Sequence, residues 1–381
     1  MTYIKNTPSI SRAGFTLIAG VFAALGGLNA QIEQILPANY GVTGIRQDSG
    51  GNVLITGGTG SPSLDAATPA FLYSGPINSI PSTTNGSGLH TYTPNFGSGP
   101  ITGGAQFYGP NTNYYNPAIG VGNIRAVGAY KATASAPYQD GMIYTGPMDG
   151  SGLWLSIQVP GDPFDLVGDT IPHSTMGNLV VGNFDLQSAP AAGVGFIYNL
   201  SNPSAPWSTF NLGSYSTTFY GIWQNGGSNS TKYTIVGGIS DVSNGGKGLV
   251  FNYDSATQNI TNETQLSFDN NPSLITHFEG ISAVVGGFSL TSTTVQGAGY
   301  AFLPVNNDGS FGTPTWTAVT NQISPGAMTT GDTVIDNIVL GIYSTGSGNV
   351  ASYMTVPEPS TYALFGLGAF ALTVARCRRS A

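Results

Sequence analysis

The chain has little charge and almost no cysteine. Of 381 residues only 10 are Lys or Arg and 18 are Asp or Glu, so 7% are charged, against about 25% in an ordinary soluble domain. The one cysteine, Cys377, excludes an internal disulfide and any zinc or redox centre that needs two thiols. The three histidines, His90, His173 and His277, are far apart and show no metal-ligand spacing. No G-x-S-x-G elbow, H-E-x-x-H, P-loop or dinucleotide fingerprint occurs, so no cofactor is expected. With no basic cluster to neutralise phosphates, nucleic-acid binding is disfavoured.

The few charges are unevenly spread. Lys5, Arg12, Arg376, Arg378 and Arg379 sit near the ends, leaving Arg46, Arg125, Lys131, Lys232 and Lys247 between Gln31 and Val356. That stretch holds 17 acids and carries a net charge of −12. Its solubility rests on Ser, Thr, Asn and Gly, a surface that suits neutral sugars or a matrix better than an ionic partner.

Both ends read as targeting segments. Lys5 and Arg12 precede an apolar core at 15–25, and Leu28-Asn29-Ala30 offers a cut before Gln31, a secretory signal peptide over 1–30. A rival reading is carried by Arg12-Ala13-Gly14-Phe15-Thr16-Leu17-Ile18, which resembles a type IV prepilin cut after Gly14. Ala19 stands where that family has an acid, and the apolar run breaks at Gly26-Gly27.

At the other end Val356-Pro357-Glu358-Pro359-Ser360-Thr361 leads into an apolar run at 362–375 and then Arg376-Cys377-Arg378-Arg379. The prolines enforce an extended spacer. As a helix the apolar run reaches roughly 21 Å, short of a ~30 Å hydrocarbon core, and the arginines hold its end on the cytoplasmic side. In that order these parts resemble the PEP-CTERM sorting tail of exported bacterial proteins, over residues 356–381. The resemblance implies a sorting motif at Val356, Pro357, Glu358, Pro359 and Ser360 and a basic stop at Arg376, Arg378 and Arg379. It implies an exosortase-type membrane protease as partner, a transient transmembrane helix, and placement in the envelope or outside the cell. A permanent anchor is the other reading of this tail.

The body between them repeats. A short β-rich run ends in glycine at Gly57, Gly128, Gly182, Gly237, Gly286 and Gly341, with spacings of 71, 54, 55, 49 and 55. A second strand follows each, ending in Tyr73, Tyr144, Tyr198, Phe251, Phe302 or Tyr353. An aromatic-glycine step precedes most anchors: Tyr40-Gly41, Phe107-Tyr108-Gly109, Phe219-Tyr220-Gly221 and Phe278-Glu279-Gly280, with weaker echoes at Met176-Gly177 and Thr330-Gly331. A third strand after the anchor carries Tyr92, Trp154, Trp207 or Trp316. Four strands per ~50 residues with no helical period predict an all-β body over 31–355, a six-bladed β-propeller. A β-helix needs shorter coils, and stacked β-sandwiches give no reason for phased glycines. The anchor glycines are expected to let blades crowd at the hub. The segment 97–116 is read as a loop insertion, and Ile32–Tyr40 as the strand that completes the last blade.

Candidate sites are sparse. Asp162, Asp165 and Asp169 lie within eight residues, a weak oxygen-only candidate for calcium that reads equally as turn residues. His277, aligned with Thr218, is expected to fill an ordinary strand position. Tyr108, Tyr114, Tyr115 and Trp223 are aromatics in Gly/Asn-rich surroundings, fit for stacking on sugar rings or for covering blade edges. The expectation is a non-enzymatic surface scaffold contacting exopolysaccharide. The alternative is a carbohydrate-active hydrolase, which would gather acids or a His–acid pair at one mouth of the ring.

Overall fold

In the computed structural model the described residues are 33–355, apart from 62, 162–164, 214, 242–244, 295–296, 320–328 and 347–348. The signal segment, the sorting motif, the apolar run and the basic stop lie outside them.

Six four-stranded antiparallel sheets form the body. Their innermost strands are Gly41–Gln47, Ala105–Thr112, Val167–Met176, Ser216–Gln224, Thr276–Val284 and Thr333–Ile335. Each touches the next and the sixth touches the first, so the sheets close into a six-bladed propeller. The last blade takes its outermost strand from the other end of the chain: Glu33–Ile35 pairs antiparallel with Ser352–Met354. Ser352 Oγ adds to this closure, accepting from Val42 N at 3.0 Å and donating to Tyr40 O at 2.5 Å. Joining the two ends in one sheet completes the sixth blade and closes the ring.

The aromatic of each third strand fills the space between blades. Tyr73, Tyr144, Phe251 and Tyr353 are fully buried, each contributing about 1.5–3 kcal/mol, while Tyr198 and Phe302 are half-buried. Outer-strand tryptophans repeat one contact: Trp154 stacks on Phe107 and Trp316 on Phe278, both at 5.9 Å between centroids.

The anchors have a different job from the one expected. Gly57, Gly128, Gly182, Gly237 and Gly341 lie on the second strand of their blades, where an added Cβ would strike a carbonyl in the adjoining innermost strand or just ahead of it. Blades crowd instead at a separate innermost-strand glycine. A Cβ on Gly109 would come within 2.6 Å of His173 O, and one on Gly280 within 2.7 Å of Thr333 Cα.

Gly286 is a correction. It sits in the hairpin turn between Thr276–Val284 and Gly287–Thr294 at φ +83°, beside fully exposed Val285. Ser292, opposite Phe278 as Gly237 is opposite Phe219, holds the anchor position in blade five. The run Ala-Val-Val-Gly imitates a strand end, but its glycine supplies the left-handed turn residue. The segment 97–116 is no insertion either, since it contains the innermost strand of blade two. The long first spacing comes from the loops at 76–88, 93–104 and 113–122.

Candidate functional site at the propeller axis

Five innermost strands are broken by an unpaired residue at matching positions, and Val167–Met176 carries a further irregularity between Val167 and Thr170. The ladder shifts register between Val42 and Gly44, Phe107 and Gly109, Pro172 and Ser174, Phe219 and Gly221, and Phe278 and Gly280. In blade six, Asp332 N bonds to Leu340 O while Thr333 pairs with that same leucine. A bulge turns the extra residue out of the pleat and re-aims its side chain. The six bulged residues are therefore Thr43, Tyr108, His173, Tyr220, Glu279 and Asp332. All six line one cavity of about 250 Å³ on the axis, with Gln106 at its wall.

The cavity is closed beneath. Arg46 extends from blade one to donate to Ile222 O at 3.0 Å and Ser174 Oγ at 3.4 Å, and its guanidinium lies 5.6 Å from the Trp223 ring. The channel narrows there to a void of about 10 Å³. Access is from the face where innermost strands begin, and that face also carries Asp140, Asp169 and Asp185.

The groups in the cavity are held firmly. His173 donates from Nε2 to Asn183 Oδ1 at 2.8 Å and lies between Tyr220, stacked at 3.6 Å, and Tyr108 at 4.9 Å. Burial pushes its imidazole down to about 3, so it stays neutral. Burial raises both phenols, helped by Asp169 at Tyr108 and Glu279 at Tyr220. His277 joins two blades: Thr218 Oγ1 lies 2.6 Å from its Nε2, and its Nδ1 lies 3.1 Å from Glu279 Oε1. Asp332 accepts from Thr330 Oγ1 at 2.7 Å. Burial, and then the neighbouring Glu279 carboxylate, push the Asp332 carboxyl up to about 8. Asp185 is pushed up to about 6 by burial and by Asp169.

One mouth of the ring thus gathers a His–acid pair and a second acid that keeps its proton at neutral pH. Titratable groups gathered in one cleft, one of them strongly perturbed, are what acid–base chemistry requires.

The calcium candidates do not come together. Asp162 lies outside the described residues. Asp165 bonds Ser188 N and Oγ, whereas Asp169 Oδ1 accepts from Gln139 N at 2.7 Å. Among the described residues no three His, Cys, Asp or Glu side chains are placed to share a metal ion. Of the four aromatics singled out from sequence, Tyr108 belongs to the axial cavity. Tyr114, Tyr115 and Trp223 run edge to face at 4.9 and 5.6 Å on the opposite side of the ring.

Residues 355–379 match the family model of the PEP-CTERM protein-sorting motif. The tail marks an exported protein of the cell envelope, of the kind handled by an exosortase. Among the described residues no helix is long and apolar enough to cross a membrane. No curated protein matches the chain in sequence. Similar solved structures include the GH93 α-L-arabinofuranosidase of Fusarium graminearum, at 13% identity and TM-score 0.50 over 87% of this chain and 98% of that one. Another is the Trypanosoma rangeli sialidase, at 10% identity and TM-score 0.48 over 85% of this chain and 56% of that one. A third is a Thermus thermophilus putative oxidoreductase (glucose dehydrogenase), at 10% identity and TM-score 0.44 over 86% and 100%. At such identities the likeness is one of fold.

Proposed function

We propose that this exported propeller is a carbohydrate-active hydrolase working at its axis, with Asp332 as proton donor and Glu279 as proton acceptor. The observation that carries the reading is that Asp332 and Glu279 line one blind cavity while His277 contacts Glu279 from beside it. A protonated Asp332 delivers its proton to the oxygen of a leaving group. Glu279, oriented by His277, then accepts a proton from the water that adds to the carbon left behind. The bond to the leaving group breaks and water's oxygen replaces it, so no redox partner is needed. Tyr108 and Tyr220 supply aromatic surface for a sugar ring, and Arg46 closes the floor so that a ligand enters and leaves by one mouth.

Hydrolysis of a panel of nitrophenyl glycosides by the exported protein tests this reading. Asp332→Asn and Glu279→Gln should each lower turnover by at least about 100-fold. The wild-type rate should fall as pH passes about 8 and Asp332 loses its proton. No turnover, or turnover indifferent to both changes, would return the chain to the non-enzymatic scaffold reading. We further propose that the apolar tail holds the protein in the membrane until it is cut. Mass spectrometry of protein recovered outside the cell should find the apolar run at 362–375 and the arginines after it missing, and an intact tail would argue for a permanent anchor.

A further inference from the structure

A second cavity lies between blades four and five, on the face opposite the acidic mouth. It is an open groove of about 770 Å³, inside the range of about 300–1,000 Å³ usual for ligand sites. We propose that this groove binds a neutral glycan chain, independently of whatever occurs at the axis.

Three features carry the assignment. The first is the state of its charges. Lys232, Asp254 and Asp308 are the charged side chains on its walls. Lys232 Nζ and Asp254 Oδ2 pair at 2.6 Å, and Asp308 Oδ1 accepts from Ser310 N at 2.9 Å and Ser310 Oγ at 2.6 Å. Lys232 is thus neutralised within the groove, and Asp308 leaves a single negative charge that repels an anionic ligand.

The second is a fixed lattice of amides and hydroxyls. Asn252 Nδ2 and Asn262 Nδ2 both donate to Gly309 O at 2.9 Å. Thr234 Oγ1 donates to Asn252 Oδ1 and receives from Asn225 Nδ2, each at 2.9 Å. These bonds lock the polar wall before a ligand arrives, which lowers the ordering cost of binding. Asn259 and Thr261 stand exposed beside it on the outermost strand of blade four, Asn259–Leu266. An array of amide and hydroxyl groups matches a polyol, whose hydroxyls both donate and accept.

The third is an aromatic wall. Trp223 lines the groove while Tyr115 and Arg46 hold its ring from other sides. A fixed indole beside a polar lattice presents apolar surface for the C–H face of a pyranose.

Native gel electrophoresis of the full exported protein through gels containing dextran, hydroxyethylcellulose or galactomannan tests the proposal, with anionic alginate as contrast. At least one neutral polymer should retard the protein and alginate should not. Trp223→Ala should weaken retardation about tenfold or more. Because Trp223 also supports Arg46, Asn259→Ala with Thr261→Ala, on the exposed strand, serves as a second variant that leaves the hub untouched. This pair should weaken retardation as well, with unchanged melting and unchanged glycoside turnover. Absence of retardation in every neutral gel, stronger retardation by alginate, or full retardation of both variants would overturn the assignment. Failure of the axial reading shows only in the turnover assay and leaves this result standing.

Discussion

Asp332→Asn is expected to make the ring more stable at pH 8 while removing the proton that the axial site delivers. The carboxyl titrates near 3.8 when unfolded and near 8 in the ring. Between those values the folded state holds a proton that the unfolded state has released, so stability falls as pH rises, by up to about 1.4 kcal/mol per pH unit. Below about pH 4 both states are protonated and the penalty vanishes. Asp185, raised to about 6, adds a loss of the same sign over a shorter window. Asparagine keeps the size of the side chain and can still accept from Thr330 Oγ1. Thermal melts from pH 5 to pH 8 should show the wild type losing several kcal/mol and the variant losing distinctly less. A wild-type profile that is flat over this range, or a variant with the same slope, would remove Asp332 from its assigned role. A gain in stability joined to a loss of activity is the signature of a strained functional group.

The second large effect separates two glycines that look alike in sequence. Gly237→Ala puts a methyl group against Thr218 O, with Thr218 C at 2.9 Å and Phe219 Cα at 3.0 Å. All three are backbone atoms at a bulge, so relief requires unpairing the innermost strand of blade four. The expected cost is about 4 kcal/mol or more, enough to leave little folded protein at 37 °C. Gly286→Ala meets only Phe302 Cζ at 4.0 Å and pays for its φ of +83°, roughly 1 kcal/mol. Melting temperatures of the two variants side by side decide the matter. Equal losses would mean that the anchors do not face the bulges as described.

The sequence made the ring legible because a blade repeats its chemistry. A β-rich run, a glycine and a later aromatic recur at nearly constant spacing, and each marks a packing demand that every blade shares. Gly286 misled because Ala283-Val284-Val285-Gly286 satisfies the same pattern through a hairpin, while the true position carries Ser292. The axial site was legible only in retrospect. In Phe107-Tyr108-Gly109, Phe219-Tyr220-Gly221 and Phe278-Glu279-Gly280 the outer two residues repeat because packing fixes them. The middle one varies, as a side chain released from packing is free to do. His173 and Asp332 occupy that middle position between neighbours that break the pattern, Pro172 with Ser174 and Gly331 with Thr333. No local signal marked them, and only the ladder registers align all six. The contact of His277 with Glu279 was within reach of the sequence, since residues two apart on one strand stand side by side.

The strand Glu33–Ile35 finds its partner roughly 320 residues downstream, next to the sorting motif. Until that distant partner emerges, the growing chain holds five sheets and an unlatched sixth. The final ladder therefore forms only after nearly the whole polypeptide has been made.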